Sequence, residues 1–229
     1  MIETWVSPEL ADPARRAALR ARFQADPARI MVIDNALLPD MYALLSRALR
    51  EDCNWAVRHG VRDDRQQWVE AAGFDGLPDD HRMARHGAFA GPRAGREMSP
   101  GMLALVRFKL LLASAAWRDM LESLTGQPVA ALQEMLVRRM AQGDFARPHD
   151  DAIEGRRLCL LVYFSDNWTP AQGGRFVLHA ADGDRVYDPL PNRMILFDVG
   201  VRQDHSVQPL AAEAAHGDVW RYNFSIWFR

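Results

Sequence analysis

Lysine is nearly missing from this chain of 229 residues: Lys109 is the single lysine among 28 basic residues. That bias is compositional and has no functional meaning by itself. Cysteine is scarce too. Cys53 and Cys159 are too few for a disulfide framework, and neither stands in a metal-binding spacing. Cys159 sits in the apolar run Leu158–Val162 and reads as a buried core residue. No apolar run approaches the ~20 residues that span a bilayer. The opening Met1-Ile2-Glu3-Thr4-Trp5 lacks the basic-then-apolar layout of a secretory signal, so a cytoplasmic location is expected. Charge of one sign is also lacking. With 30 acidic and 28 basic residues the net charge is −2, which gives no general pull toward nucleic acid or an anionic membrane. Neither is expected as a partner, and oligomeric state is not legible. There is no internal repeat and no low-complexity tract.

What is present reads as an ordinary globular chain, 48% hydrophobic and 25% charged, long enough for one sizeable core. A single domain over 1–229 is the economical expectation, with 1–130 mainly helical support and 131–229 rich in strands. Ser7-Pro8-Glu9 opens a helix running to about Phe23, with a capping serine and proline at the first helical position. Ile30–Asp34 is a short apolar strand. Leu38-Pro39-Asp40 opens an amphipathic helix with Leu44, Leu45, Ala48 and Leu49 on one face.

From Cys53 to Pro100 the apolar residues thin out, and Asn54–Val57 is the only plausible strand. His81–Arg96 carries four arginines and no acid. This segment is either a solvated surface excursion or a flap over a site that contacts an acidic substrate. Met102–Ala116 reads as an apolar helix burying Leu103, Val106, Leu110 and Leu111. Trp117–Leu124 follows as a second helix, with Gly126 as its C-cap. Beyond Ala130 the period shifts. Strands are expected at Glu134–Met140, Leu158–Phe164, Gly174–Ala180, Arg185–Tyr187, Met194–Asp198, Ser206–Leu210 and Trp220–Phe228. Gly173-Gly174 marks a tight turn where side chains would clash. Strands after a helical half give an α+β fold: a double-stranded β-helix, or jelly roll, braced by N-terminal helices.

The chemistry centres on Arg147-Pro148-His149-Asp150-Asp151. Alternation along a strand sends His149 and Asp151 to one face and Asp150 to the other; Asp150 would replace Asp151 only through a bulge. His-x-Asp alone is weak, since it also describes a capped turn. A second histidine, His205, follows the apolar strand Met194–Val199. Two imidazoles and one carboxylate are the ligand set of a mononuclear non-haem Fe(II) site with open positions, although zinc satisfies the same ligands. On the last strand, Arg221 stands among apolar alternating residues. Facing inward it needs an anion, and a dicarboxylic acid fits.

These residues carry a family resemblance. His149-x-Asp151, His205 within His-x-Val-x-Pro, and Arg221 ahead of Ser225-Ile226-Trp227-Phe228 resemble the Fe(II)/2-oxoglutarate-dependent dioxygenases. Gly143-Asp144-Phe145, Gly155-Arg156-Arg157 before Leu158–Phe164, Gly173-Gly174-Arg175-Phe176, Asn192-Arg193 and Leu196-Phe197-Asp198 are similar to the prolyl-hydroxylase-like branch. The resemblance covers about Ala28–Leu38 and Leu121 to the end. It implies Fe(II) at His149, Asp151 and His205, with 2-oxoglutarate as cosubstrate, O2 as oxidant and ascorbate as an auxiliary reductant. Arg221 would pair the distal carboxylate of 2-oxoglutarate, helped by Asn223 two residues on and by Tyr163. Met140 stands where the branch often has a tyrosine, and Ala211–Val219 reads as an enlarged hairpin.

Three function classes follow. The first is a hydroxylase acting on an unactivated C–H of a prolyl or other amino-acid residue in a peptide or protein. The second is a tailoring oxygenase for a free amino acid or small metabolite. The third is a non-catalytic ligand-binding barrel. A wide cleft flanked by the Cys53–Pro100 segment would favour a peptide; a closed pocket with a charged back wall would favour a small acid. The remaining histidines, His59, His81, His86, His179 and His216, are expected to have no metal role, and Trp227 to be core.

Overall fold

The computed structural model describes residues 2–62, 68–153, 155–211 and 221–229. Its N-terminal part is α1 (Pro8–Ala11), α2 (Pro13–Ala25), β1 (Ile30–Ile33), α3 (Pro39–Arg47), β2 (Cys53–Val61), β3 (Trp68–Val69), α4 (Ala71–Asp75), β4 (Arg82–Pro92), α5 (Pro100–Leu112) and α6 (Ala115–Thr125). The rest is strands: β5 (Leu132–Met140), β6 (Phe145–His149), β7 (Leu158–Tyr163), β8 (Phe176–Ala180), β9 (Gly183–Tyr187), β10 (Met194–Asp198), β11 (Asp204–Val207) and β12 (Arg221–Phe228).

All strand pairings are antiparallel, and the hydrogen-bonded order is β1-β10-β7-β12-β5-β4-β6-β11-β8-β9, with β2 added alongside β4. Curled on itself, this sheet is the jelly roll expected from the strand pattern. Two cores explain why β7 and β12 are buried along their whole length. One face of β7 (Leu158, Leu160, Val162) and of β12 (Phe224, Ile226, Phe228) packs under the helices with Phe23, Leu49, Phe108 and Trp117. The opposite face turns inward, where Leu161 and Tyr163 meet Phe176, Ile195 and Phe197. Side chains that alternate across a strand must be apolar on both sides when both sides are covered. The inward polar residues of β12 therefore stand out as exceptions.

Several expectations need correcting. The first helix breaks after Ala11, because Asp12 caps a second one at Pro13, its carboxylate accepting from the Ala14 amide at 2.7 Å. Likewise α5 stops at Leu112, and Ser114 caps α6 by accepting from the Trp117 amide. The buried side of α5 is Met102, Leu105, Phe108, Leu111 and Leu112, so Leu111 is buried as expected, whereas Val106 and Leu110 are 54% and 67% exposed. A helix apolar nearly all round has no periodicity to choose a face, so its neighbours decide. Gly126 is the left-handed C-cap anticipated, at φ 76°.

The largest correction concerns 53–100. Its described residues are not an irregular excursion: β2 and β4 form a long antiparallel hairpin, β4 bridges β5 to β6 in the main sheet, and His86 of β4 lines the pocket. Arginine, histidine and glycine supply its strands in place of an apolar alternation, which hid them. Among the described residues no single helix is long and apolar enough to cross a membrane. The apolar pair α5 and α6 is bent by 61° at its break and packs its buried residues into the helix-side core. At 211–219, residues 212 onward of the anticipated hairpin, His216 and Trp220 lie outside the described residues.

Candidate metal and anion site

The sheet register brings distant residues together. In the β6–β11 pair, His149 faces His205, and their ring centroids are 4.3 Å apart. Asp151 follows β6 and turns inward, its two carboxylate oxygens 4.0 Å from His149 Nε2 and 3.4 Å from His205 Nε2. One donor atom from each of the three residues lies within 4.8 Å of the others. Asp150 points out and is exposed; its carboxylate accepts from the Ala152 amide, so the turn-capping role belongs to it.

Each of the three is held. His149 Nδ1 lies 2.7 Å from the Arg147 carbonyl, which can only accept, so Nδ1 is a donor and Nε2 is the nitrogen turned toward Asp151. His205 is packed by Phe176 and Phe197, with centroids 5.4 and 5.3 Å away. Burial, reinforced by His149, pushes its pKa down to about 3, so the ring is neutral, the form that binds a metal. Its buried Nδ1 has no hydrogen-bond partner. Asp151 accepts a 2.8 Å hydrogen bond from Trp227 Nε1 and has Arg156 at 3.6 Å. Burial alone would raise its pKa, but the two histidines, Trp227 and Arg156 outweigh it and keep the carboxyl below its usual range. Two imidazoles and an ionised carboxylate fit a divalent ion, Fe(II) or Zn(II).

The same pocket, about 500 Å³ including its open mouth, reaches Arg221 and Asn223. Arg221 is 2% exposed, and its guanidinium donates to Asn223 Oδ1 at 2.7 Å, to Met140 Sδ at 3.2 Å and to the Tyr163 hydroxyl at 3.5 Å. Asn223 in turn donates to Ser225 Oγ at 3.0 Å. The guanidinium also lies 5.0 Å from the Tyr163 ring centroid. Burial lowers the Arg221 pKa and raises that of Tyr163 to about 12, so this group of residues carries one positive charge. No carboxylate among the described residues pairs with Arg221, and its Nε is buried without a partner. Gly174 makes room for it, since a Cβ there would stand 3.2 Å from Arg221 Cδ and 2.7 Å from Leu210 Cδ1. Gly173 takes a left-handed φ of 65°, and its Cβ would meet the Pro209 carbonyl at 2.5 Å.

The structure thus brings together all six residues singled out in the sequence: His149, Asp151 and His205, and Arg221, Asn223 and Tyr163. The reading missed Trp227 as the donor that fixes Asp151, though its strand parity matches that of Arg221. It also missed His86, buried in the pocket wall from β4, and Arg138, which shares strand parity with Met140. His179 lies apart, between Asp184 at 2.8 Å and Ser206 at 3.0 Å, and His59 packs on Phe74.

Fold and site define a class: a jelly-roll protein that presents a two-histidine and carboxylate candidate metal triad and a buried cation to one pocket. Comparison makes the class specific. A sequence profile of the 2OG-Fe(II) oxygenase superfamily matches residues 135–229. A curated prolyl 3,4-dihydroxylase of Ostreococcus tauri is 28% identical over 137 residues, covering 54% of this chain. The chain spans only 26% of that relative's length. The fold is shared with a Pseudomonas putida prolyl-4-hydroxylase (TM-score 0.62, 18% identity, 97% of this chain and 99% of that one). It is shared also with a Trichoplax adhaerens prolyl hydroxylase solved with a hypoxia inducible factor peptide fragment (TM-score 0.64, 16% identity, 96% and 91%).

Proposed function

We propose that this chain is an Fe(II)- and 2-oxoglutarate-dependent dioxygenase that hydroxylates an unactivated C–H bond of a prolyl or other amino-acid unit. The observation that carries it is one pocket lined by the triad His149, Asp151 and His205 and by the uncompensated cation Arg221. The prolyl assignment is supported by the likeness to prolyl hydroxylases and by nothing in the pocket itself. A free amino acid or small metabolite is the second reading, favoured by the buried charge in the pocket wall.

Fe(II) bound by the triad would supply the oxygen chemistry of the family, in which 2-oxoglutarate and O2 become succinate and CO2 as R–H becomes R–OH. The chain's own residues do the positioning. His149 is aimed by the Arg147 carbonyl and His205 by its two phenylalanines. Arg221 offers a planar fork to the distal carboxylate of 2-oxoglutarate, with the Tyr163 hydroxyl beside it. Phe176, Leu161 and Val207 line the pocket and limit water. Cys159, also in the wall, has its thiol pKa pushed well up by burial and by Asp151, so it stays protonated and does not compete as a ligand.

The test is anaerobic addition of Fe(II) and then 2-oxoglutarate, followed by admission of air. A weak visible charge-transfer band and then succinate are expected; neither appearing would sink the assignment. Trp227→Phe keeps most of the ring but deletes the bond to Asp151 Oδ2. Metal affinity should then fall about 10- to 100-fold, the usual cost of losing a group that orients a ligand. Calorimetric titration with Zn(II) measures it, and an unchanged affinity would leave Trp227 as packing only.

A further inference from the structure

We propose that the pocket contains a second anion site, centred on Arg138, which takes a carboxylate of the molecule being oxidised. The substrate class is then a small organic acid, a free amino acid being the fitting case. This rests on the oxygenase reading above and narrows it from prolyl units in general to molecules that bring their own carboxylate.

Register places Arg138. On the pocket face, Met140 of β5 is paired with Arg221 and Arg138 with Asn223, which is itself paired with Tyr163 of β7. Gly87 pairs with Arg139, so His86 of β4 lies beside Met140. Arg221 therefore has its hydroxyl partner, Tyr163, on the β7 side and its amide partner, Asn223, on its own strand, while Arg138 stands on the opposite side of Asn223 from Tyr163, on β5 next to β4. Its guanidinium lies 5.7 Å from the Trp227 ring centroid, close to the metal triad, and both Arg138 and His86 line the pocket. The Arg138 Nε is buried and has no hydrogen-bond partner, and among the described residues no carboxylate comes within ion-pair distance of it. Arg156 makes the contrast. It also packs on Trp227, at 4.2 Å, but Glu134 neutralises it at 2.7 Å.

Charge decides what is missing. With a divalent ion, the Asp151 carboxylate, Arg221 and doubly ionised 2-oxoglutarate in place, the positive and negative charges cancel. The Arg156–Glu134 pair cancels by itself, and the imidazoles add nothing. His86 is kept neutral by its burial and by the charges of Arg138, Arg58 and Arg221. Arg138 is left as one desolvated positive charge facing an open pocket. A cation so buried calls for an anion. Both carboxylates of 2-oxoglutarate are already spoken for, one at Arg221 and one at the metal, so the third belongs to the substrate.

The experiment uses the full chain loaded with Zn(II), which fits the triad without turnover, and 2-oxoglutarate. Calorimetry measures binding of proline, leucine and aspartate as free L-acids and as their α-carboxamides. At least one acid should bind about 10- to 100-fold tighter than its amide, the range of a charge-assisted hydrogen bond. Arg138→Met should erase that preference and cost the acid more affinity than it costs 2-oxoglutarate. It should also raise the melting temperature of the unliganded protein, because an uncompensated buried cation gives way to an apolar chain of similar reach. Equal binding of every acid and amide overturns the proposal. So does a larger loss for 2-oxoglutarate than for the acid, which would put Arg138 on the cosubstrate, and so does a lower melting temperature or failure to fold, which would make Arg138 structural. Lack of the Fe(II)–2-oxoglutarate band would count against the oxygenase reading alone. Acid preference and melting temperature can both be read without turnover.

Discussion

His205→Ala is expected to abolish iron-dependent succinate formation, by a factor of a thousand or more on the general scale of catalytic machinery removed, while leaving the chain folded. The imidazole is one of three donors gathered within 4.8 Å, and the remaining His149 and Asp151 cannot close the site. Stability should change much less than activity. Losing a buried ring costs about 2–5 kcal/mol when the ring is apolar and well packed. Here the lost contacts with Phe176 and Phe197 are offset by removal of an unpartnered buried Nδ1, a defect worth about 1–3 kcal/mol. The metal-free wild type carries a further signature. With a folded pKa of about 3 against an ordinary value of 6.5, His205 binds its proton in the unfolded state first. Stability conferred by the neutral ring is therefore complete above pH 6.5 and declines as pH falls toward 3. The variant should lack that share of the acid decline. Circular dichroism melts at pH 7 and pH 4.5, with succinate assayed alongside, separate the effects; retained turnover would remove His205 from the site.

The triad was legible because β-strand parity and a 3-residue motif constrain it locally. His149 and Asp151 need only alternate, and His205 needs only to lie on a strand that reaches β6. Arg221 was legible for the opposite reason: one arginine among apolar alternating residues has nowhere to go but inward. The hairpin β2–β4 was not legible. Its inward positions include Ala84, His86 and Ala88, too small or too polar to register as a buried face, and its pairing with β5 and β6 is long-range. The buried side of α5 was legible only at Leu111, for lack of contrast. Arg138 is hard to single out because it is followed by Arg139. Parity separates them: Arg139 lies over the Trp55 ring on the other face, and Arg138 enters the pocket. The residues that sequence reasoning missed are thus polar groups whose burial depends on strands far away in the chain.

Arg221→Ala should raise the 2-oxoglutarate requirement severely while sparing metal binding. Truncating one partner of a buried charge pair costs about 2–5 kcal/mol, or roughly thirtyfold to several thousandfold in affinity. The fork is held in place: Asn223 Oδ1 fixes one nitrogen, the Tyr163 hydroxyl the other, and the face rests on the tyrosine ring. None of these neighbours is charged, so none of them compensates the guanidinium. Removing it should leave the ligand-free protein at least as stable, because an unpaired cation is no longer buried. The loss appears on adding cosubstrate. A ligand at a hundred times its Kd stabilises by about 2.7 kcal/mol, and each kcal/mol moves the midpoint of a chain this size by about 2–4 °C. The wild type loaded with Zn(II) should therefore melt several degrees higher with 2-oxoglutarate, and the variant should not at the same concentration. Zn(II) affinity should be nearly equal in the two proteins, since Arg221 touches none of the three ligands. If the thermal shift and the half-saturating 2-oxoglutarate concentration are the same in both, the anchor lies elsewhere. Arg138 would then be the pocket's remaining buried cation without a carboxylate, and the two arginines would exchange roles.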